Sequence, residues 1–247
     1  MKDDLLKELQ NFLPKKALLL KKEALERTSG GLHTEEPVKA EVIVRPDSTE
    51  QVSKVLHLCT KYEQQIVVHG GLTGLVYGTR TSSEQIILSL ERMNDIEEVD
   101  PIGRTITCQS GVTLQAIQER AESENMIFPL DLGARGSCSI GGNISTNAGG
   151  NRVIRYGMTR DSVLGIEAVT PDGTILSSMN RMIKNNAGYD LKQLFIGTEG
   201  TLGIVTRCVL RLREAPLSQN TALVGIKEFS SIIKFLKHID SGLGGNM

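Results

Sequence analysis

His69-Gly70-Gly71-Leu72-Thr73-Gly74-Leu75-Val76-Tyr77-Gly78 sets four glycines within ten residues, directly after a β-branched run at residues 65–68. Without a Cβ the chain can bring its backbone N–H groups close to an anion, and such a nest suits a diphosphate. Thr73 adds a hydroxyl donor. No Lys-Ser/Thr pair follows the glycines, so this is not a Walker A loop. Nor is the spacing GxGxxG, which disfavours a Rossmann reading. Alone, a glycine-rich exit from a strand is equally a plain structural turn.

Two further segments change that balance. Leu130-Asp131-Leu132-Gly133 leads to Gly136-Ser137-Cys138-Ser139-Ile140-Gly141-Gly142-Asn143-Ile144-Ser145-Thr146-Asn147-Ala148-Gly149-Gly150. Glycines, small hydroxyls and amides dominate it, which suits wrapping a large polar cofactor at backbone distance. A long surface loop is the bland alternative, though loops of this length without a role are uncommon. The third segment, Lys184-Asn185-Asn186-Ala187-Gly188-Tyr189-Asp190-Leu191, runs into Phe195-Ile196-Gly197-Thr198-Glu199-Gly200-Thr201-Leu202-Gly203-Ile204-Val205-Thr206. It is another glycine-spaced turn entering an apolar strand.

Between these segments the pattern alternates strand and helix. Residues 41–45 form a β-branched strand closed by Pro46, and Ser48-Thr49-Glu50-Gln51 matches a capping box. Val52, Val55, Leu56 and Cys59 then share one helical face. Strands are expected at residues 65–68, 86–90, 99–100, 105–109, 162–170, 174–177 and 203–213, with a hairpin at Pro171-Asp172-Gly173. A helix over 113–125 carries Leu114, Ile117 and Ala121 on one side. This mixture points to an α/β arrangement. Residues 1–27 read as a helical lead, and the lysine pairs Lys15-Lys16 and Lys21-Lys22 around the apolar run at 17–20 read as a solvated helix face. At the tail, residues 222–226 read as a strand and 228–239 as a helix bearing Ile232, Ile233, Phe235, Leu236 and Ile239. That stripe needs a partner layer, so the reading favours a chain cut from a longer protein.

Composition excludes several classes. A net charge of −1 over 247 residues disfavours a nucleic-acid partner. No apolar run approaches the roughly 18 residues of a membrane span, and no signal or transit peptide is visible. Four scattered cysteines without CxxC fit reduced thiols in a cytoplasmic, cytosol-like compartment. Four histidines without paired spacing make a metal site wholly within the chain improbable.

In order and spacing, the three glycine-rich segments resemble the flavin-binding domain of the vanillyl-alcohol-oxidase (PCMH-type) FAD family. More narrowly, they are similar to its glycolate-oxidase-subunit and D-2-hydroxyglutarate/D-lactate dehydrogenase branch. The resemblance spans about residues 38–212. It implies an α+β FAD-binding domain of two subdomains, with the cofactor between them. The implied organisation is a lead at 1–37, an FAD domain at 38–215 (subdomains about 38–110 and 111–215), and the start of a truncated C-terminal substrate (cap) domain at 216–247.

By position, Gly70, Gly71, Leu72, Thr73, Gly74 and Leu75 resemble the pyrophosphate loop. Ser137, Gly141, Gly142, Asn143 and Thr146 resemble residues around the flavin and its ribityl-phosphate arm. Gly203 and Ile204 resemble backbone contacts to the cofactor, and Pro46 a proline near the adenine end. Two departures stand out. The family pattern has a glycine where Tyr77 stands, and often a small polar residue at the place of Leu72. Relatives that attach FAD covalently use a histidine just after the Gly-Gly pair; here that place is Leu72, so the resemblance implies non-covalent FAD.

The implied function is oxidation of a D-2-hydroxyacid (D-2-hydroxyglutarate, D-lactate or glycolate class) by hydride transfer to flavin, with an electron acceptor the sequence does not identify. Carboxylate binding and proton removal belong largely to the family's C-terminal region, so no catalytic residue is assigned. Arg152 and Arg155 invite a carboxylate-binding reading, but surface or structural arginines are favoured. A non-catalytic FAD module, or another oxidase or transferase on the same domain, remains the alternative.

Overall fold

Val42-Ile43-Val44 and Ile86-Ile87-Leu88 are near-continuous β-branched and apolar runs, the composition of strands buried on both faces. They pair in parallel in the computed structural model, which describes residues 3–30 and 36–243. The first half of the chain comprises α1 (Asp3–Phe12), β1 (Leu18–Leu20), α2 (Lys22–Leu25), β2 (Val42–Val44), α3 (Thr49–Lys61), β3 (Ile66–His69) and β4 (Ile86–Ser89). Its sheet runs β1-β2-β4-β3, with β2 and β3 both parallel to β4. Alternation sorts the two faces. Val42, Val44, Ile86 and Leu88 pack with Leu5, Leu9, Val52 and Val55 of α1 and α3, while Ile43 and Ile87 meet Ala24, Val38 and Ala40 behind.

The second half adds β5 (Ile96–Asp100), β6 (Thr105–Gln109), α4 (Leu114–Glu122), β7 (Met126–Ile127), α5 (Ile140–Ser145), α6 (Val153–Tyr156) and α7 (Thr159–Ser162). It continues with β8 (Val163–Val169), β9 (Ile175–Ser178), α8 (Lys192–Phe195), β10 (Ile204–Arg211), β11 (Arg213–Glu214) and α9 (Phe229–Leu243). Here the sheet is antiparallel, β5-β6-β10-β8-β9, and α4 buries Leu114, Ile117 and Ala121 against it as its spacing predicts.

Four expectations are corrected. Residues 18–20 are not part of a helix face: they form β1, antiparallel to β2, because the free edge of β2 offers hydrogen-bond partners that leucine's helix preference cannot match. The capping box is only half formed. Ser48 Oγ accepts from the Gln51 N–H at 3.2 Å, but the Gln51 side chain reaches back to Asp47 rather than Ser48. The hairpin β5–β6 belongs to the second sheet, so the change of sheet falls ahead of the boundary expected near residue 110. Residues 222–226 form no strand; 222–225 are exposed, Ile226 is half-buried, and none of them pairs with a described strand. The helix after them is real, yet none of its residues is buried.

Two of the contacts between the halves are made by α3. The turn at Pro171-Asp172-Gly173 sits on α3, where Ser53 Oγ donates to the Gly173 carbonyl and Thr60 Oγ1 to that of Pro171. Deeper in, Thr49 Oγ1 donates to Glu167 Oε1 at 2.7 Å and also meets Thr206 Oγ1 at 3.0 Å. Arg207 approaches the same carboxylate at 3.4 Å and holds Glu97 at 2.6 Å. All four cysteines are free and buried, with Cys108 and Cys208 facing each other across β6 and β10.

Candidate functional site

The first glycine segment leaves β3 and folds against the second. Cβ atoms built on Gly71 would lie 2.1 Å from the Ser137 carbonyl and 2.6 Å from Cys138 Cα; on Gly70, 2.6 Å from Ser139 Oγ. Gly71 is required by backbone packed on backbone and Gly70 by the Ser139 side chain, before any ligand is considered. Ser139 fastens the junction: its Oγ caps α5 and accepts from the Gly71 N–H at 3.1 Å. Beyond Gly71 the loop is different. Among the described residues, none of the N–H groups of residues 72–78 finds an acceptor, and Gly74 faces open space. Such a run of unpaired donors is an anion-binding concavity.

His69 closes the loop at its base. Its ring is buried, and Nε2 donates to the Thr79 carbonyl at 2.8 Å, tying the two ends together. Burial lowers its pKa, opposed in part by the Thr79 contact and by Glu91, so the imidazole is neutral. Leu72 and Tyr77 adopt left-handed φ values of 56° and 59°. Tyr77 is thus a side chain held where glycine would be unstrained, and its ring lies under the Arg80 guanidinium at 4.0 Å.

Two cavities flank this junction, of about 260 and 370 Å³, sharing Gly70, Gly71, Leu90 and Ser139 as a common wall. Together they lie within the roughly 300–1,000 Å³ of cofactor pockets. The first is lined by Gly70, Gly71, Leu72, Thr73 and Gly74 on one side, and by Gly141, Gly142, Asn143, Thr146 and Ile204 on the other. Ser137 lines the second. Three expected residues stand apart. Pro46 is buried away from both cavities, Leu75 is exposed at the loop tip, and Gly203 packs on the Phe195 ring, where a Cβ would approach to 2.8 Å. The third glycine segment contributes only its end: Glu199, Gly200, Ile204 and Val205 line the first cavity, whereas residues 184–191 are exposed.

The lining also contains residues the sequence reading passed over. Ser139 was legible as a helix cap before Ile140, but α5 is a glycine-bearing helix inside a segment read as loop. Gly78 stood within the quoted loop. Glu199 carried no local signal; its position depends on a left-handed φ of 53° and on its N–H donating to the Ser145 carbonyl at 2.8 Å. Cys138, also in the lining, has its thiol pKa raised by burial, which keeps it protonated. Arg152 pairs loosely with Asp131 at 3.7 Å and Arg155 lies over Tyr156, and neither lines a cavity.

A flavin dinucleotide fits what these residues offer: unpaired N–H donors for a diphosphate, two adjoining cavities for the flanking groups, and a buried Asn143 Oδ1 without a partner among the described residues. Comparisons with known proteins agree. A D-2-hydroxyglutarate dehydrogenase of Danio rerio is 44% identical over 79% of this chain and 37% of its own length. One of Xanthomonas citri pv. viticola is 43% identical over 78% and 41%. A putative D-lactate dehydrogenase of Schizosaccharomyces pombe is 42% identical over 83% and 39%. The chain therefore spans about two fifths of these relatives. Among solved structures, an alkyldihydroxyacetonephosphate synthase superposes with a TM-score of 0.77 at 25% identity, covering 88% of this chain and 41% of that one. Residues 40–178, more than half the chain, match the family described as FAD binding domain, and the chain belongs to that family.

Proposed function

We propose that this chain holds FAD non-covalently in the cleft between residues 70–79 and 137–146. We read it as the flavin-binding portion of an FAD-dependent D-2-hydroxyacid dehydrogenase. The observation that carries the binding mode is the run of unpaired N–H groups at residues 72–78 beside the paired cavities. On this reading those donors serve the diphosphate, with no lysine or arginine among the described lining residues. Three side chains support the non-covalent reading. Leu72 has no nucleophilic atom, His69 is buried and engaged with Thr79, and Cys138 is held protonated. When bound, flavin supplies the ring that accepts a hydride from C2 of the substrate.

The substrate class rests on the relatives named as D-2-hydroxyglutarate and D-lactate dehydrogenases. No lining side chain is given a catalytic role, and the electron acceptor stays open. Identities above 40% favour a dehydrogenase over the transferase reading that the fold likeness at 25% would allow. Residues 216–247 are read as the beginning of a substrate domain, in keeping with the uncovered apolar face of α9. Four buried free thiols support a reducing compartment, and several relatives are named as mitochondrial. Among the described residues no helix is long and apolar enough to cross a membrane.

The test is a visible absorption spectrum of the purified chain, followed by acid precipitation. Flavin bands that pass to the supernatant are the expected result. Colour retained in the pellet overturns the non-covalent reading, and a colourless chain that takes up no added FAD overturns the binding site. Turnover of D-2-hydroxyglutarate against D-lactate with an artificial acceptor then tests the substrate class.

A further inference from the structure

Glu199 is the one charged side chain lining the first cavity among the described residues, and its backbone is strained to hold it there. Gly197, Glu199 and Gly200 all have left-handed φ values, 87°, 53° and 80°. The turn is pinned to α5, because Gly197 N–H donates to the Ile144 carbonyl and Glu199 N–H to that of Ser145. A non-glycine residue in this region persists only when its surroundings enforce it, and such residues gather at ligand sites. The carboxylate reaches across the cleft to the end of the first loop. Glu199 Oε2 lies 3.8 Å from where a Cβ on Gly78 would stand.

That position constrains what the carboxylate can meet. The N–H groups of residues 72–78 take the diphosphate under the reading above, and a carboxylate facing the phosphate oxygens would be repelled. Beside a diphosphate in a flavin dinucleotide stand hydroxyl groups, of the ribityl chain on one side and the ribose on the other. A carboxylate next to the diphosphate, carried on a backbone pinned to α5, is matched to accept from them, as acidic residues do at other dinucleotide sites. We propose that Glu199 is a specificity-determining residue of the cleft, accepting hydrogen bonds from the sugar hydroxyls next to the diphosphate. It thereby selects a polyol-bearing dinucleotide over other diphosphates. This rests on the FAD reading and assigns a role within it.

The experiment is a titration of the full chain with FAD, followed by flavin fluorescence and paired with thermal unfolding of the apo-protein. Glu199→Gln is expected to weaken FAD about ten- to hundredfold, the worth of a charge-assisted hydrogen bond, with the unfolding midpoint unchanged. Glu199→Gly is expected to weaken binding as much while raising the midpoint, because the left-handed strain is relieved. FAD analogues lacking a ribose hydroxyl or a ribityl hydroxyl identify the donor. The analogue missing the partner group loses affinity with the wild-type chain and loses little with Glu199→Gln. Unchanged FAD affinity in Glu199→Gln, or equal losses of every analogue in both proteins, overturns the assignment while leaving the FAD site standing. A wild-type chain that takes up no FAD overturns the site and this assignment together.

Discussion

At Leu72 and Tyr77 the loop keeps side chains at backbone angles that L-residues adopt at a cost of about 1–2 kcal/mol. Leu72→Gly should therefore raise the thermal midpoint, through a stability gain of up to about 1 kcal/mol after the entropy of the added glycine. Tyr77→Gly gains less, since it also removes the stack with Arg80, a contact of about 0.5–1 kcal/mol. Thermal melts of both variants check this; a destabilised Leu72→Gly would show that its packing at the cavity outweighs the strain. Gly71 and Gly74 give the opposite contrast. Gly71→Ala forces a methyl into the backbone of residues 137–139 and should cost about 1–3 kcal/mol or more. Gly74→Ala meets nothing within 4 Å and should leave stability within about 0.5 kcal/mol. Equal midpoints for the two would mean that the segments do not interlock as described.

At the scale of elements, the β8–β9 turn works as a docking peg. The Asp172 carboxylate accepts from the Thr170 hydroxyl, and from the Thr174 N–H and hydroxyl. These bonds, the Thr170 hydroxyl first, hold its pKa at about 2. An unfolded aspartate titrates near roughly 3.9, so the folded form binds the proton less readily. The stabilisation is therefore fully present above roughly pH 4 and is lost as the pH falls towards 2. Asp172→Asn should remove this dependence. Urea unfolding midpoints of wild type and variant should differ near neutral pH and converge at about pH 2, whereas parallel curves throughout would refute the role given to these bonds. Pro-Asp-Gly was legible as a turn from residue chemistry alone. That it would rest on α3 was not, because its partners Ser53, His57 and Thr60 lie more than a hundred residues away.

Across the whole molecule, the buried Glu167 couples α3 of the first half to the second sheet. It accepts from Thr49 of α3, while Thr206 Oγ1 donates to its carbonyl and Arg207 faces its carboxylate. Glu167→Ala should cost about 1–3 kcal/mol, because it strands these donors in a buried joint. Glu167→Gln should cost less. Since the cleft takes Val68 and the first loop from one half and Ser139 and Ile204 from the other, the alanine variant should also bind FAD more weakly. A joint variant with reduced stability but unaltered FAD affinity would show that the cleft does not depend on this contact.

Local pattern was enough for the elements whose signal is periodic or chemical. The apolar faces of α3 and α4, the Ser48 cap, the strand runs and the glycine loops are all set by neighbours a few residues apart, and so was most of the candidate lining. What sequence could not supply was anything decided by distant partners. Residues 18–20 became a strand because an edge of β2 was there to pair with, and residues 222–226 stayed irregular because no edge was. Gly71 serves first to let two backbones touch and Gly70 to make room for the Ser139 hydroxyl, and only their tertiary neighbours reveal it. Glu199 reaches the cleft through a turn anchored on α5. The residue sequence determined the local conformations and the donors available to a ligand; tertiary packing decided which segments meet, because burial and hydrogen-bond pairing are settled between groups that the chain brings together only on folding.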